Sequence, residues 1–347
     1  MTKSAKIASL FSIIIIVLFL AYNSYLLPAA TKGITICVEV IIPSLFPFTA
    51  VILFLFDCGI LNLLSAKISV VTRCLFGLNG EAFIVFVMSL FGGYPVGAKL
   101  INKMLFEGKI SENSARRMIN YSVNPGPAFV ILGIGKAIYN NTLVGVILYA
   151  SNVLSSVLLC ILLSRREIKE ETKISSKIPK IQNVADSFVQ SVADASSSII
   201  TICGCVILFS SIIGVISEII KTDYLKPIVA LLEISNGTII FRNNIYLISF
   251  ITAFSGFCVH AQIFALCKNF KIKYSRFLFF RIINGILSVL FSFALVKIFK
   301  PTIKTMALSG DYIFRPSIHT VALSLLLIFM AFALLISINE KRVEKKK

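Results

Sequence analysis

Charge is scarce in this chain. Only 14% of its 347 residues are Asp, Glu, Lys or Arg, while 57% belong to the hydrophobic set; a soluble domain carries about 25% charged residues and roughly 45–50% apolar ones. Acid is scarcer still, with 16 Asp and Glu against 34 Lys and Arg, a formal net charge of +18. Histidine occurs twice, and none of the eight cysteines stands in a C-x-x-C pair. No metal-ligand spacing, phosphate-cradling glycine loop or nucleophile–base arrangement is present. These absences exclude a soluble enzyme, a disordered chain and a secreted disulfide scaffold, and they give no ground to expect catalysis, a cofactor or a metal site. Nor does any basic stretch interleave with an aromatic stacking platform, so nucleic acid is not an expected partner.

What the sequence has instead is apolar length. At about 20 residues per crossing it could supply roughly eight to ten membrane elements, and most of its basic residues lie between the apolar blocks, where they set topology and meet anionic headgroups. The expected class is an all-α polytopic membrane protein in contact with a lipid bilayer, in the bacterial inner membrane. Ile7 to Leu27 reads as an uncleaved first helix. Ile34 to Leu64 holds Pro43 and Pro47, which predict a broken helix facing the interior, with Glu39 and Asp57 on its halves. Ala82 to Phe91 is too short to cross and stops at Gly92-Gly93-Tyr94-Pro95; a second short arm runs from Val96 to about Phe106. Two such arms around a Gly/Pro tip predict a re-entrant hairpin. Ser111 is a candidate N-cap, Asn124-Pro125-Gly126-Pro127 a second interruption, and Leu143 to Ser164 a clean span.

Arg165 to Gln182 is the one stretch of soluble character, and its six Lys and Arg argue for the cytoplasm. The plan then repeats. A long block runs from about Ala185 to Ile220, and Ile245 to Phe254 forms a short arm ending at Ser255-Gly256-Phe257-Cys258. Val259 to Cys267 returns, and Phe277 to Phe299 and Val321 to Ile338 complete the count. The expected division is a first helix over 1–30, repeats over 31–164 and 185–340, a basic linker at 165–184 and a basic tail at 341–347.

A shift of 163 residues lays the segment from Gly93 to Leu100 on that from Gly256 to Ile263, with three of eight positions identical and two conservative. The order of short arm, glycine tip, short arm, basic loop and long helix is common to both halves. Paired interruptions of this kind point to a transporter's midplane site; glycines that merely permit close helix packing are the plainer explanation. The expectation is two pseudo-symmetric repeats, each with a re-entrant helical hairpin followed by long transmembrane helices.

The string "GGYPVGAKL", with "NPGPAFVILG" about thirty residues on, resembles the YlbJ family of sporulation integral membrane proteins, in the nucleoside-recognition or Gate-domain group. The resemblance extends over nearly the whole chain, and the second half is similar to the second hairpin of concentrative nucleoside transporters. It implies a role in endospore formation and a solute site between the hairpins. Val123 stands where the family favours Asn, and Tyr94-Pro95 and Phe257-Cys258 stand where nucleoside transporters place acidic and amide side chains. The fold therefore does not carry the substrate over.

The candidate solute-binding residues are Gly93, Tyr94, Pro95, Gly97, Lys99, Asn120, Asn124 and Gly126 of the first half, and Ser255, Gly256, His260, Gln262 and Asn284 of the second. Pro95 suits the first turn of a returning arm, whose free N–H groups favour an anionic or polar group, and Lys99 adds charge one turn on. His260 matches Gly97, Gln262 matches Lys99, and His260 belongs to the one residue type that ordinarily titrates near neutrality. Each has a plainer alternative: Lys99 snorkels to headgroups, His260 is a hydrogen-bonded core residue, and Asn124 caps backbone freed by Pro125. The reading is a transporter-like protein for a small polar or nucleoside-like solute, leaving room for a coupling ion and for a homo-oligomer; its rival is a membrane scaffold with a degenerate site. An inverted repeat would place the loop bearing Lys268, Lys271, Lys273, Arg276 and Arg281 outside, and the count of positive residues objects.

Overall fold

The computed structural model describes residues 13–164, 184–219, 226–267 and 270–302. The basic linker, the span at Val321 to Ile338 and the tail fall outside these. Among the described residues every regular element is a helix, and five are long and apolar enough to cross a membrane, or six if one bent pair counts as a span. The chain is an all-α, multi-pass membrane protein.

Helix α1, over 13–21, leads through a turn at Tyr22 into α2 (Asn23–Ile36), and α2 continues into α3 (Ile42–Asp57) as one 35-residue rod. The break expected at Pro43 and Pro47 does not occur. Cys37–Ile41 forms a π turn in which the Ile42 N–H bonds the Cys37 carbonyl five residues back. Such a turn takes up an extra residue and lets the helix pass a proline that can neither donate nor fit against the carbonyl four behind it. α4 (Ile60–Phe76) ends at Gly77, whose φ of 70° closes the helix, and its last turns meet α5 (Gly80–Gly92) at 76°. Asn79 caps α5, accepting from the Ala82 N–H at 2.7 Å.

At Gly93, with φ 82°, the chain reverses into α6 (Tyr94–Phe106). A Cβ on Gly97 would lie 2.8 Å from that of Ser89; eight residues along a straight helix are about 12 Å apart, so the first tip does fold back. Ser111 caps α7 (Glu112–Met118) as expected, accepting from Ser114 N–H at 3.1 Å. The backbone is unwound from 119 to 127, around the two prolines, and resumes as a π segment, Ala128–Lys136, followed by α8 (Thr142–Ser164). α9 (Val184–Ile219) packs along α2 and α3, with Gly33 admitting the Ile207 backbone.

The second half departs from the expected plan. Its fold-back is at Glu233, between α10 (Lys226–Leu232) and α11 (Ile234–Ile240), where a Cβ on Gly237 would sit 2.7 Å from the Ala230 carbonyl oxygen. The tip at Ser255 is not re-entrant. α12 (Ile245–Phe254) and α13 (Gly256–Leu266) run on through the left-handed residues Ser255 and Gly256 as one 22-residue span. α14 (Tyr274–Phe299) lies antiparallel to the whole of it: Ser249 meets Ser288, Phe250 meets Gly285, His260 meets Phe277 and Phe264 meets Tyr274. Two adjacent left-handed residues displace a helix axis and here do not reverse it.

This change of parity removes the objection over charge. α9 and α12–α13 both cross, and the arms of α10 and α11 are seven residues each, too short to do so. The basic loop before α14 therefore returns to the side of the linker. The ends agree: Lys103 pairs with Asp57, Ser191 reaches Asp57, and the Lys271 N–H reaches Glu112 on that side, while Asn141 donates to the Thr302 carbonyl on the other.

Candidate functional site

Three interruptions of helical backbone meet at the centre of the protein: the α5–α6 tip, the unwound 119–127 stretch and the Ser255 break. Each leaves carbonyls with no helical partner, and a bare carbonyl at membrane depth costs several kcal/mol, on the order of 4 or more. Side chains take them one by one. Pro125 and Pro127 cannot donate to the carbonyls four residues behind them, Tyr121 and Val123. Asn124 Nδ2 donates to the Tyr121 oxygen at 3.0 Å and Arg281 Nη1 to the Val123 oxygen at 2.5 Å. Of the last carbonyls of α12, Thr252 accepts from the Tyr94 hydroxyl at 2.8 Å, Ala253 from Asn284 Nδ2 at 3.3 Å and from Arg281 Nη1 at 3.4 Å, and Phe254 pairs with His260 Nε2 at 2.9 Å. Leu90, next to the first tip, accepts from the Tyr149 hydroxyl at 3.0 Å.

The network is built across the two halves. Asn152 of α8 donates to Thr252 Oγ1 at 3.1 Å, and Ser156 donates to Asn124 Oδ1. Arg281 also reaches the Asn120 carbonyl at 2.6 Å and the Ser255 hydroxyl at 3.4 Å. It is 0% exposed, the largest fully buried side chain among the described residues, and every acceptor around it is a carbonyl or a hydroxyl.

Beside this network lies a narrow cleft of about 50 Å³. Tyr94, Pro95 and Gly126 of the first half line one side; Cys258, Val259 and Gln262 of α13 line the other, with Glu233 and Ser235 from the α10–α11 tip. A wall of Ile41 and Leu45 from the long rod, Ile202 and Val206 from α9 and Phe129 completes it. The Glu233 carboxylate is occupied in capping α11, accepting from the N–H groups of Ser235 at 3.0 Å and Asn236 at 2.8 Å. The starts of α6 and α13 carry no side-chain cap. Their first-turn residues, Tyr94 and Pro95 on one and Cys258 and Val259 on the other, are cleft lining; Pro95 has no N–H and the Val96 N–H bonds the Gly93 carbonyl at 3.2 Å, so the cleft surface there is largely apolar.

The candidates from sequence thus divide. Tyr94, Pro95, Gly126 and Gln262 meet at the cleft. Gly93 is the hinge beside it, where a Cβ would touch Leu45 at 3.0 Å, and Gly97 is packed out by the Ser122 carbonyl. Lys99 turns the other way, to the Asp194 carbonyl, to its carboxylate at 3.8 Å and to Ser198 Oγ at 2.9 Å on α9. His260 stands among Phe254, Phe257, Tyr274 and Phe277 as a hydrogen-bonded core residue. Asn124 and Asn284 hold backbone, Asn120 donates to the Arg116 carbonyl at 2.8 Å, and Ser255 and Gly256 form the break itself. Sequence reasoning missed Glu233, and it weighed Arg281 only as a topogenic charge. An arginine inside the apolar run from Phe277 to Phe299 was the available signal for the second.

A protein of Bacillus subtilis (strain 168), the sporulation integral membrane protein YlbJ, is 22% identical over 314 residues, a match covering 78% of this chain and 77% of the relative. This chain is similar to YlbJ over most of its length. The match to YlbJ is long enough to take in both tips, in keeping with the resemblance carried by the Gly93–Leu100 and Asn124–Phe129 motifs, and the description of YlbJ as an integral membrane protein agrees with the five spans. No protein-family model matches the chain. No solved structure matches it.

Proposed function

We propose that the protein is a transporter-type membrane protein of the bacterial inner membrane that binds a small solute in the cleft between Tyr94-Pro95 and Cys258–Gln262, and that, as the name of its relative suggests, it acts in sporulation. The observation that carries this reading is the convergence of two helix breaks, at Gly93 and at Ser255, beside one largely apolar cleft. Interrupted helices at a central cavity are how membrane transporters present backbone to a solute. The lining favours a small solute with an apolar body against Ile41, Phe129 and Val206 and a polar group at Gln262. With Lys99 engaged on α9 and a carboxylate at Glu233, an uncharged or zwitterionic solute suits the cleft better than an anion.

The test uses Cys258 as a reporter. Nucleosides and other small solutes are screened for thermal stabilisation of the protein in detergent, and a hit is required to slow maleimide labelling of Cys258. Gln262→Ala should abolish both effects and Lys99→Ala neither; a hit indifferent to Gln262→Ala would sink the cleft as its site. The rival, a non-transporting scaffold, is favoured by one observation, the use of Asn124, His260 and Asn284 to hold backbone. It predicts that Gln262→Ala leaves sporulation intact.

A further inference from the structure

On the linker side, away from the cleft, α7 and the start of α14 enclose an open pocket of about 130 Å³ lined by Arg116, Asn120, Ile272, Lys273, Arg276 and Phe277. Three of these six side chains are cations and none is an acid. Glu112, on the rim, pairs with Arg116 at 2.6 Å and is the carboxylate that offsets part of this charge. Lys273 is the N-cap of the 26-residue α14 and makes no side-chain cap, so the first amides of that helix are open to a ligand.

A second observation comes from beneath the floor. Asn120 and Phe277, which line the pocket, both touch Arg281: the Asn120 carbonyl accepts from its Nη2 at 2.6 Å, and the guanidinium stands 5.9 Å from the Phe277 ring. Arg281 is buried with no carboxylate among its partners, and its Nε has no hydrogen-bond partner. Buried charges are ordinarily paired. A buried cation with no carboxylate partner, one residue behind a pocket lined by three further cations of which Arg116 alone has an acid beside it, leaves this pocket with an excess of positive charge.

We propose that the α7–α14 pocket binds a phosphate group, held by Arg116, Lys273, Arg276 and the open first turn of α14. Arginine forks and helix starts are the usual partners of phosphate oxygens. The pocket opens at a helix end on the side of the basic linker, where the phosphate of an anionic lipid headgroup and that of a free phosphorylated solute are both within reach; the chemistry recognised is the same.

The full-length protein is compared with the double variant Lys273→Ala/Arg276→Ala and with Lys297→Ala/Lys300→Ala, which removes two exposed cations at the other end of α14. Apparent affinity is read from the shift of the unfolding midpoint in two arms: inorganic phosphate against chloride at equal ionic strength in lipid-free detergent, and phosphatidylglycerol against phosphatidylcholine nanodiscs. At about fivefold per juxtamembrane cation, the first variant should weaken binding roughly thirtyfold and the second should not. Stabilisation in the phosphate arm assigns a free ligand, and stabilisation in the phosphatidylglycerol arm alone assigns a lipid. No stabilisation in either arm, or equal losses in both variants, overturns the proposal.

Discussion

Arg281 Nη1 lies 2.5 Å from the Val123 carbonyl oxygen, and Pro127, four residues beyond Val123, is the reason that oxygen is free. A proline in one half of the chain has created an acceptor, and an arginine in the other half fills it. Arg281→Met should leave the Val123 and Asn120 carbonyls bare. At about 1–3 kcal/mol for each unsatisfied group, the expected loss is at least about 2 kcal/mol, read as a lowered unfolding midpoint in detergent. Arg281→Lys should recover only part of it, because one ammonium cannot span both carbonyls as the fork does. A midpoint unchanged in Arg281→Met would refute this account.

If Pro127 and Arg281 serve one carbonyl, their effects must couple. Pro127→Ala supplies an N–H four residues from Val123, so the loss caused by Arg281→Met should be smaller in the Pro127→Ala background. A coupling energy of about 0.5 kcal/mol or more in the double-mutant cycle is expected; strict additivity would show that the two residues act independently.

Two glycines in apolar surroundings should answer oppositely to alanine. A Cβ on Gly97 would fall 1.9 Å from the Ser122 oxygen and 2.8 Å from Ser89 Cβ, whereas one on Gly204 of α9 would meet nothing within 4 Å. Gly97→Ala should cost several kcal/mol, on the order of 3, through overpacking against backbone. Gly204→Ala should be neutral or stabilise by up to about 1 kcal/mol through helix propensity. Expression level and unfolding midpoint of the two variants check this.

Lys99 ties α6 to α9 and does not face the cleft. Lys99→Ala should therefore lower the unfolding midpoint while leaving the maleimide labelling rate of Cys258 within about twofold of the parent. A cleft opened or closed by the change would alter that rate tenfold or more, at about 1.4 kcal/mol of shift in the open state.

Much of the architecture was legible because crossing a membrane demands apolar length, and length survives in a linear string. Thr142–Ser164, Val184–Ile219 and Tyr274–Phe299 fall within a few residues of the blocks read from sequence. The Tyr94 and Cys258 segments do meet at one cleft, but not as the matched hairpins the repeat led one to expect. What the string could not give was the geometry of the breaks. Pro43 and Pro47 pass within a helix because a π turn forms ahead of them. Ser255-Gly256 shifts an axis where Gly93 reverses one: Gly93 takes φ 82° and ψ 176°, a conformation essentially confined to glycine, while Ser255 is left-handed at φ 79° and ψ 2°. Asn124, His260 and Asn284 were singled out as polar groups seeking a solute; their partners are carbonyls orphaned by those breaks, which become countable only after the breaks are placed.

The bonds around the cleft are of two kinds, directional on one side and compliant on the other. Tyr94, Asn152 and Arg281 rivet the tips of both halves to each other through short contacts to backbone and hydroxyl oxygens. The opposite wall touches the cleft through Ile41, Leu45, Ile202 and Val206, and it is moored to the tips by lysines: Lys99 to Asp194, Lys103 to Asp57, and Lys32 to Asn236 at 3.3 Å. Four-carbon lysine stems follow a displacement of an ångström or two with their ammonium groups still engaged, and apolar contacts have no direction to lose. The tips are therefore held to each other by directional bonds, and the α2–α3–α9 wall is held to them by apolar contact and long, flexible side chains.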